Sequence, residues 1–390
     1  MKQEAIQLRI IDALSDVPEG DWNTLLAPDS GPFLKYAFLN ALEKAGCVGG
    51  NTGWQVADLI VEDSNSRLLG AMPLYLKQHS YGEFVFDWAW AQAYEQNGMP
   101  YYPKALSAIP FTPVRGPRLL VSTQADKGAI QEILVSGLKT LVTQNTLSSA
   151  HVLFPENDEL GVLKQQGFML RDSVQFHWHN EGYQDFEQYL ANLTMKRRKN
   201  IRRERAAVDS HQISYRHIPG EIATASDWNF FYRCYENTYI EHRSSPYLTE
   251  DCIQLLGSSM PENFHLIIAT QNERPIASSL LVVDKPNATA YGRYWGAIEH
   301  IPCLHFELAY YQAIEYCIKE GIQVFEGGAQ GEHKMARGFI PTTLQSAHWI
   351  EDAGFANAVK RFLDREHEGM AAYVDELEQR IPVKSSKVLS

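Results

Sequence analysis

Two apolar β-hairpins, one in each half of the chain, constrain the fold more than any other feature of this sequence. The first pairs WQVADLIVED (54–63) with RLLGAMPLYLKQ (67–78) across an SNS turn, and the second pairs FHLIIATQN (264–272) with RPIASSLLVVD (274–284). Each hairpin leads into an aromatic segment, then a helix, then a buried strand. In the first half these are 81–113, 125–145 and 149–154; in the second they are 288–297, 304–321 and 322–328. One repetition at this distance describes a duplicated domain rather than a solenoid. A hairpin that continues through a crossover helix into another strand implies a mixed sheet, because parallel neighbours need such a crossover. The expectation is an α/β chain of two lobes, 1–183 and 184–390, each with a mixed central sheet flanked by helices.

The remaining segments fill in around that plan. Residues 7–12 and 212–218 read as strands, 168–180 as an alternating strand, and 34–46, 157–167, 227–243 and 355–380 as helices. Residues 186–208 are helical, with a break expected near Thr194. A chain of 390 residues that is 45% hydrophobic can build two cores. The net charge of -12 repels polyanions, so contact with nucleic acid or acidic lipid would need a local basic patch. No apolar run reaches the roughly 18 residues of a membrane span. The start, MKQEAIQLRIIDAL, lacks the basic-then-apolar order of a secretory signal. Cys47, Cys234, Cys252, Cys303 and Cys317 include no C-x-x-C pair and read as reduced thiols. The expected location is cytoplasmic, extending to peripheral contact with the inner membrane face.

Longer motifs narrow the reading. YGEFVFDWAWAQAYEQNGMPYYPKALSAIPFTPVRGPRLL (81–120), VQFHWHN (174–180), KRRKNIRRERAAV (196–208), YGRYWGA (291–297), LHFELAYYQAIEYCI (304–318) and EGGAQGEHKMARGFIP (326–341) resemble a bacterial FemAB-like family. Its members are described as N-acyltransferases or as peptidoglycan biosynthesis or recognition proteins. The resemblance implies tandem GNAT-like (acyl-CoA N-acyltransferase) domains and transfer of an acyl or aminoacyl group from an activated donor to an amine. Acyl-CoA is the expected donor; a small-molecule or lipid amine is the expected acceptor. The Fem enzymes' use of aminoacyl-tRNA is the variant.

Chemistry concentrates in EGGAQGEHKMARGF. Gly327, Gly328, Gly331 and Gly338 punctuate a carboxylate (Glu332), an imidazole (His333), an ammonium (Lys334) and a guanidinium (Arg337). Such glycines let backbone N–H groups approach a ligand. His305 and Glu307 open the preceding helix, where residues two apart cannot share a face. A GNAT domain has its pyrophosphate loop here, but EHIPCLHFE contains no Q/R-x-x-G-x-G/A run. Amide formation needs a base for the amine and donors for the oxyanion. Glu332 or His333 is the expected base, with His305 and Glu307 as the competing pair. Gly328, Gly331, Lys334 and Arg337 are the expected donor-binding groups, and Tyr294 and Trp295 the expected substrate-facing rings. Cys303 reads as an inert thiol rather than a nucleophile.

MKRRKNIRRERA carries seven basic residues and the single acid Glu204. Arg197, Arg198 and Arg202 are the expected contacts for donor phosphates, tRNA or an anionic membrane. PVRGPR (113–118), with Arg115 and Arg118, is a lesser anion candidate. No metal is expected. The competing classes are an iron site from His305, Glu307 and His348, and a non-catalytic module that recognises cell wall or lipid.

Overall fold

The computed structural model describes residues 6–328 and 331–379, apart from the side chains of Glu332 and Glu378. The chain forms two compact units, 1–173 with 343–372, and 174–342 with 373–390. The expected division at residue 183 thus needs correcting: Thr343–Ala372 returns to the first unit. Nothing local marks this return, because it is made by strand pairing with residues far back in sequence.

In the first unit, β1 (Gln7–Ile11), β2 (Trp54–Val56), β3 (Asp58–Glu62), β4 (Leu68–Met72), β5 (Tyr75–Lys77), β6 (Lys104–Ser107), β7 (Leu120–Val121) and β8 (Ser149–Leu153) build two sheets. The first sheet is antiparallel in the order β1-β3-β4-β7. The second pairs β2 with β5 and β5 with β6 antiparallel, then β6 with β8 parallel. The expected first hairpin therefore divides and feeds both sheets. Its hinge is chemical. Pro73 has no N–H to give a ladder, and the buried Asp58 carboxylate accepts the Leu74 N–H at 2.7 Å, replacing a strand partner. Helix α1 (Trp88–Gln96) rises from the aromatic segment, and α2 (Lys127–Gln144) covers the core with Ile130, Leu134, Leu138 and Leu141 buried. Ser346–Ile350 of the returning strand pairs antiparallel with β8, placing His348 opposite His151. PVRGPR forms no anion platform. Arg118 is fully buried and donates to the carbonyls of Val114, Gly116, Pro117 and Leu153, while Arg115 pairs with Glu156.

In the second unit, β9 (Met169–His179, from Val174 onward), β10 (Ile213–Pro219), β11 (Phe264–Gln271), β12 (Arg274–Asp284), β13 (Thr289–Ala297) and β14 (Val324–Glu326) lie in the order β10-β11-β12-β13-β14-β9. All neighbours are antiparallel except β13 and β14, the pair joined by the crossover helix. Expected strand 322–328 is ordered as a strand only at Val324–Glu326. A bulge between Leu280 and Leu281 leaves Arg293 as the extra residue on β13, since Leu280 faces Tyr294 and Leu281 faces Gly292. The break expected near Thr194 is present: Thr194 is the N-cap separating α3 (Phe186–Asn192) from α4 (Met195–Asp209). Helix α5 (Ala225–Glu241) packs on β13 at Gly296, where a Cβ would lie 1.9 Å from the Cys234 carbonyl oxygen. The crossover helix, α6, runs as Leu304–Phe306, a π-helical turn Glu307–Tyr311, and Gln312–Lys319. Among the described residues, no helix is long and apolar enough to cross a membrane.

Candidate active site

The glycine-spaced run leaves β14 and is first pinned by β9. Gly327 N–H donates to the Phe176 carbonyl at 2.9 Å, and Phe176 N–H donates to the Gly328 carbonyl at 3.1 Å. The Gly327 amide is thereby spent and is no oxyanion donor. Glu332–Arg337 then form a short 3-10 helix. Gly331 has φ +93, and a Cβ on it would lie 2.2 Å from the His333 ring. That glycine is what lets the imidazole fold back across the backbone.

His333 comes to rest among rings supplied by α6. Its Nε2 lies 3.0 Å from Tyr310 Oη, and its ring is 6.3 Å from His305 and 6.0 Å from Phe306 between centroids. His305 stacks on Trp295 at 4.6 Å. His333, itself exposed, and the start of α6 therefore lie side by side. Glu307 does not join them. Two residues along the helix, its carboxylate faces away, accepting from Arg205 at 2.9 Å and Gln312 at 2.8 Å. Tyr294, on the opposite face of β13 from Trp295, packs on Tyr235. The Glu332 side chain lies outside the described residues.

Arg337 is the cationic hub. Its guanidinium sits 3.6 Å over the Phe306 ring, donates to Tyr311 Oη at 3.0 Å and the His333 carbonyl at 2.8 Å, and pairs with Glu204 at 2.7 Å. Tyr311 also donates to Glu204. Sequence reasoning missed Glu204, Tyr310 and Tyr311. Glu204 was discernible only as the lone acid in a basic run, a sign that it has a cation elsewhere to meet. Lys334 is buried, with its ammonium donating to the Gly328 carbonyl at 3.4 Å.

Burial dominates the ionisation of these groups. Desolvation first, then the nearby cations, pushes His333 below its usual value, and His305 down to about 4. Both imidazoles are neutral at pH 7. Desolvation and Arg293 lower Lys334 to about 8, and burial raises Tyr310 to about 12. Cys303 is raised by burial and by Glu204, so it stays a thiol.

The basic helix is partly structural. Arg198 donates to the carbonyls of Ala191 and Leu193 at the end of α3, Arg202 pairs with Glu187, and Arg205 pairs with Glu307 and Glu315. Arg197 is half-buried, while Lys196, Lys199 and Arg203 are exposed. The first amide of α6 is also used locally, Leu304 N–H donating to Ile301 O at 3.2 Å. The iron-site alternative is not supported by geometry. His305 stacks on Trp295, Glu307 binds Arg205 and Gln312, and His348 belongs to the first unit, bonded to His151 and Ser346. Among the described residues, no group of three or more His, Cys, Asp or Glu could hold a metal ion.

A family model, FemAB-like and described as peptidoglycan biosynthesis/recognition, matches residues 13–385. No curated protein matches the sequence. Among solved structures, the C-terminal domain of a putative lysylphosphatidylglycerol synthetase from Agrobacterium fabrum is similar at TM-score 0.52 and 7% identity, covering 91% of this chain and 95% of that one. A Bacteroides thetaiotaomicron protein of unknown function has TM-score 0.51 and 10% identity, covering 88% and 99%. A tandem GNAT protein from the clavulanic acid pathway has TM-score 0.47 and 14% identity, covering 89% and 98%. At these identities the likeness to the two structures above TM-score 0.5 speaks to fold alone.

Proposed function

The chain belongs to the FemAB-like family, and from that premise we propose that it is an acyltransferase moving an acyl group from acyl-CoA to an amine of a cell-envelope or lipid precursor. The observation that carries the reading is the pairing of a neutral His333 with Tyr310 at 3.0 Å, beside the Arg337 hub.

The amine attacks the donor carbonyl carbon and develops positive charge as the C–N bond forms. His333 accepts that proton at Nδ1. The C–S bond breaks, and the thiolate takes a proton from Tyr310. Tyr310 is replenished from His333 Nε2, so one proton travels from amine to leaving group, and the exposed His333, left as its Nδ1–H tautomer, regains the Nε2–H form by proton exchange with solvent. Tyr310 suits the task because burial keeps it protonated throughout the physiological range. Lys334 and Arg337 supply positive charge for the oxyanion. Trp295, His305 and Phe306 offer an apolar wall to the acyl chain.

The donor phosphates would rest on the exposed cations of α4, Lys196, Lys199 and Arg203, since EHIPCLHFE lacks a phosphate-binding glycine run. The same cations keep aminoacyl-tRNA as the donor variant and would favour a cytoplasmic enzyme working at the inner membrane face. The test is release of free coenzyme A thiol from a panel of acyl-CoA donors, run with envelope amines and with aminoacyl-tRNA in parallel. Thiol release that needs both amine and His333 supports the reading. Aminoacyl transfer without thiol release moves the donor to tRNA. Neither activity in folded protein leaves the non-catalytic recognition role.

A further inference from the structure

A chain of hydrogen bonds in the second unit leads from Glu307 to a cavity at the C-terminal end of α6, and each link fixes the next. Glu307 pairs with Arg205, so its carboxylate is ionised and can only accept. The Gln312 side chain therefore turns its N–H groups toward Glu307, at 2.8 Å. That leaves the Gln312 carbonyl oxygen facing His217 Nε2 at 2.9 Å, so His217 donates from this nitrogen. At pH 8 an imidazole carries one N–H. His217 Nδ1 is then a bare acceptor, and His265 Nε2, 3.0 Å away, donates to it. The other nitrogen of His265, Nδ1, is left as an unprotonated lone pair. Among the described residues, nothing hydrogen-bonds to it.

His265 is 3% exposed and lines a cavity of about 310 Å³, room for one small molecule. Tyr316 stacks on the ring at 3.9 Å and closes one of its faces. Burial first, then His217, Lys285 and Lys319, holds His265 down to about 3, which keeps the lone pair bare. A buried acceptor with no donor is costly, and an N–H entering the cavity removes that cost. The charge of the lining says what carries the N–H. Glu221, Glu262, Glu315 and Glu320 line the cavity with Lys285 and Lys319. Arg205 offsets Glu315, which leaves three carboxylates against two ammoniums. The carbonyl end of α6, at Lys319, adds partial negative charge. A carboxylate or phosphate brings only acceptors and would be repelled by the Nδ1 lone pair. Among the described residues, no group of three or more His, Cys, Asp or Glu could hold a metal ion, so no metal cage is available. We propose that this cavity binds a small primary ammonium, which donates an N–H to His265 Nδ1 and lays its alkyl chain against Tyr316 and Val283. His333, Tyr310 and Arg337 do not line the cavity, and the proposal does not rest on the transfer reading.

Imidazole nitrogen–proton correlation spectra of the full chain at pH 8, titrated with n-butylamine, test it. His265 should carry its proton on Nε2, and its Nδ1 resonance should shift saturably as butylammonium is added. N-butyltrimethylammonium has the same charge and chain but no N–H, and should bind about tenfold or more weakly. Butyrate should leave the resonance unmoved. Glu221→Gln/Glu320→Gln, at two exposed positions, should weaken butylammonium binding about threefold or more, with circular dichroism verifying the fold. His333→Ala should bind butylammonium as the native chain does, which separates this cavity from any amine held at the transfer site. A proton on His265 Nδ1, no saturable shift, equal binding of the quaternary ion or a shift caused by butyrate overturns the proposal. So does unchanged binding in the folded glutamine variant, or binding lost in His333→Ala. Failure of the acyl-transfer assays removes the transfer reading alone and leaves these readouts as they are.

Discussion

The cross-strand pair His151–His348 gives a prediction whose size follows from burial. Their Nδ1 atoms are 2.7 Å apart, so one donates and the other accepts, and both rings are neutral. Tyr101 and Ser149 reach His151, Ser346 reaches His348, and Trp90 stacks on His151 and meets His348 edge to face. Lys104 and Arg171 add repulsion to protonation and Asp87 opposes it, but desolvation leads, holding His151 down to about 3 and His348 well below its ordinary 6.5. These imidazoles bind protons only in the unfolded chain, so they destabilise the fold as pH falls through 6.5. At pH 5 each costs about 2 kcal/mol relative to pH 7.5, about 4 kcal/mol for the pair. That figure is insensitive to the folded-state values, provided they lie below 5. Glu83 and Glu159, both raised to about 7 chiefly by burial, act with the opposite sign over the same interval. The informative quantity is therefore a difference. Urea unfolding of the native chain and of His151→Gln/His348→Gln, from pH 7.5 to 5, should show the variant gaining about 4 kcal/mol on the native protein. Parallel stability curves, or an imidazole resonance of His151 that titrates near 6.5, would refute the reasoning.

Other outcomes follow from single contacts. Lys104→Met strands two buried carboxylates and should cost about 3–5 kcal/mol in urea unfolding, with Glu83→Gln/Asp87→Asn added to it recovering part of the loss. Gly296→Ala puts a Cβ against the backbone of Cys234, forcing α5 away from β13 at a cost of about 1–3 kcal/mol or more by the same measurement. Glu204→Gln leaves Tyr311 and Arg337 without their shared carboxylate and should lower kcat about 10²-fold while stability changes little. Because desolvation, Arg337 and Lys334 hold His333 below 6.5, the acid limb of kcat/KM should fall below pH 6.5, and Arg337→Gln should move it upward.

The duplicated order of elements was legible because period-2 and helical patterns survive in any context, and the Thr194 break because a threonine before a basic helix is a local cap signal. The meeting of His333 with His305 was legible as proximity between a loop and the helix before it. What escaped depends on partners distant in sequence. Pro73 announces a break, but only the carboxylate of Asp58 turns it into a change of sheet. Glu307 seemed equivalent to His305 until the helix carried it toward Arg205. Glu83 and Asp87 resemble solvated turn residues, and nothing nearby reveals that Lys104 draws them inward.

The returning segment also bears on synthesis. Chain order would let the leading half mature while the rest is still being made. Here the pairing of Ser346–Ile350 with β8 postpones that. The unit that contains β1–β8 waits for Ser346–Ile350 to leave the ribosome, so termination before that strand harms this unit as well as the second. A message cut short before residue 346 would yield a product in which β8 keeps an uncovered edge, a form that quality-control proteases are equipped to remove.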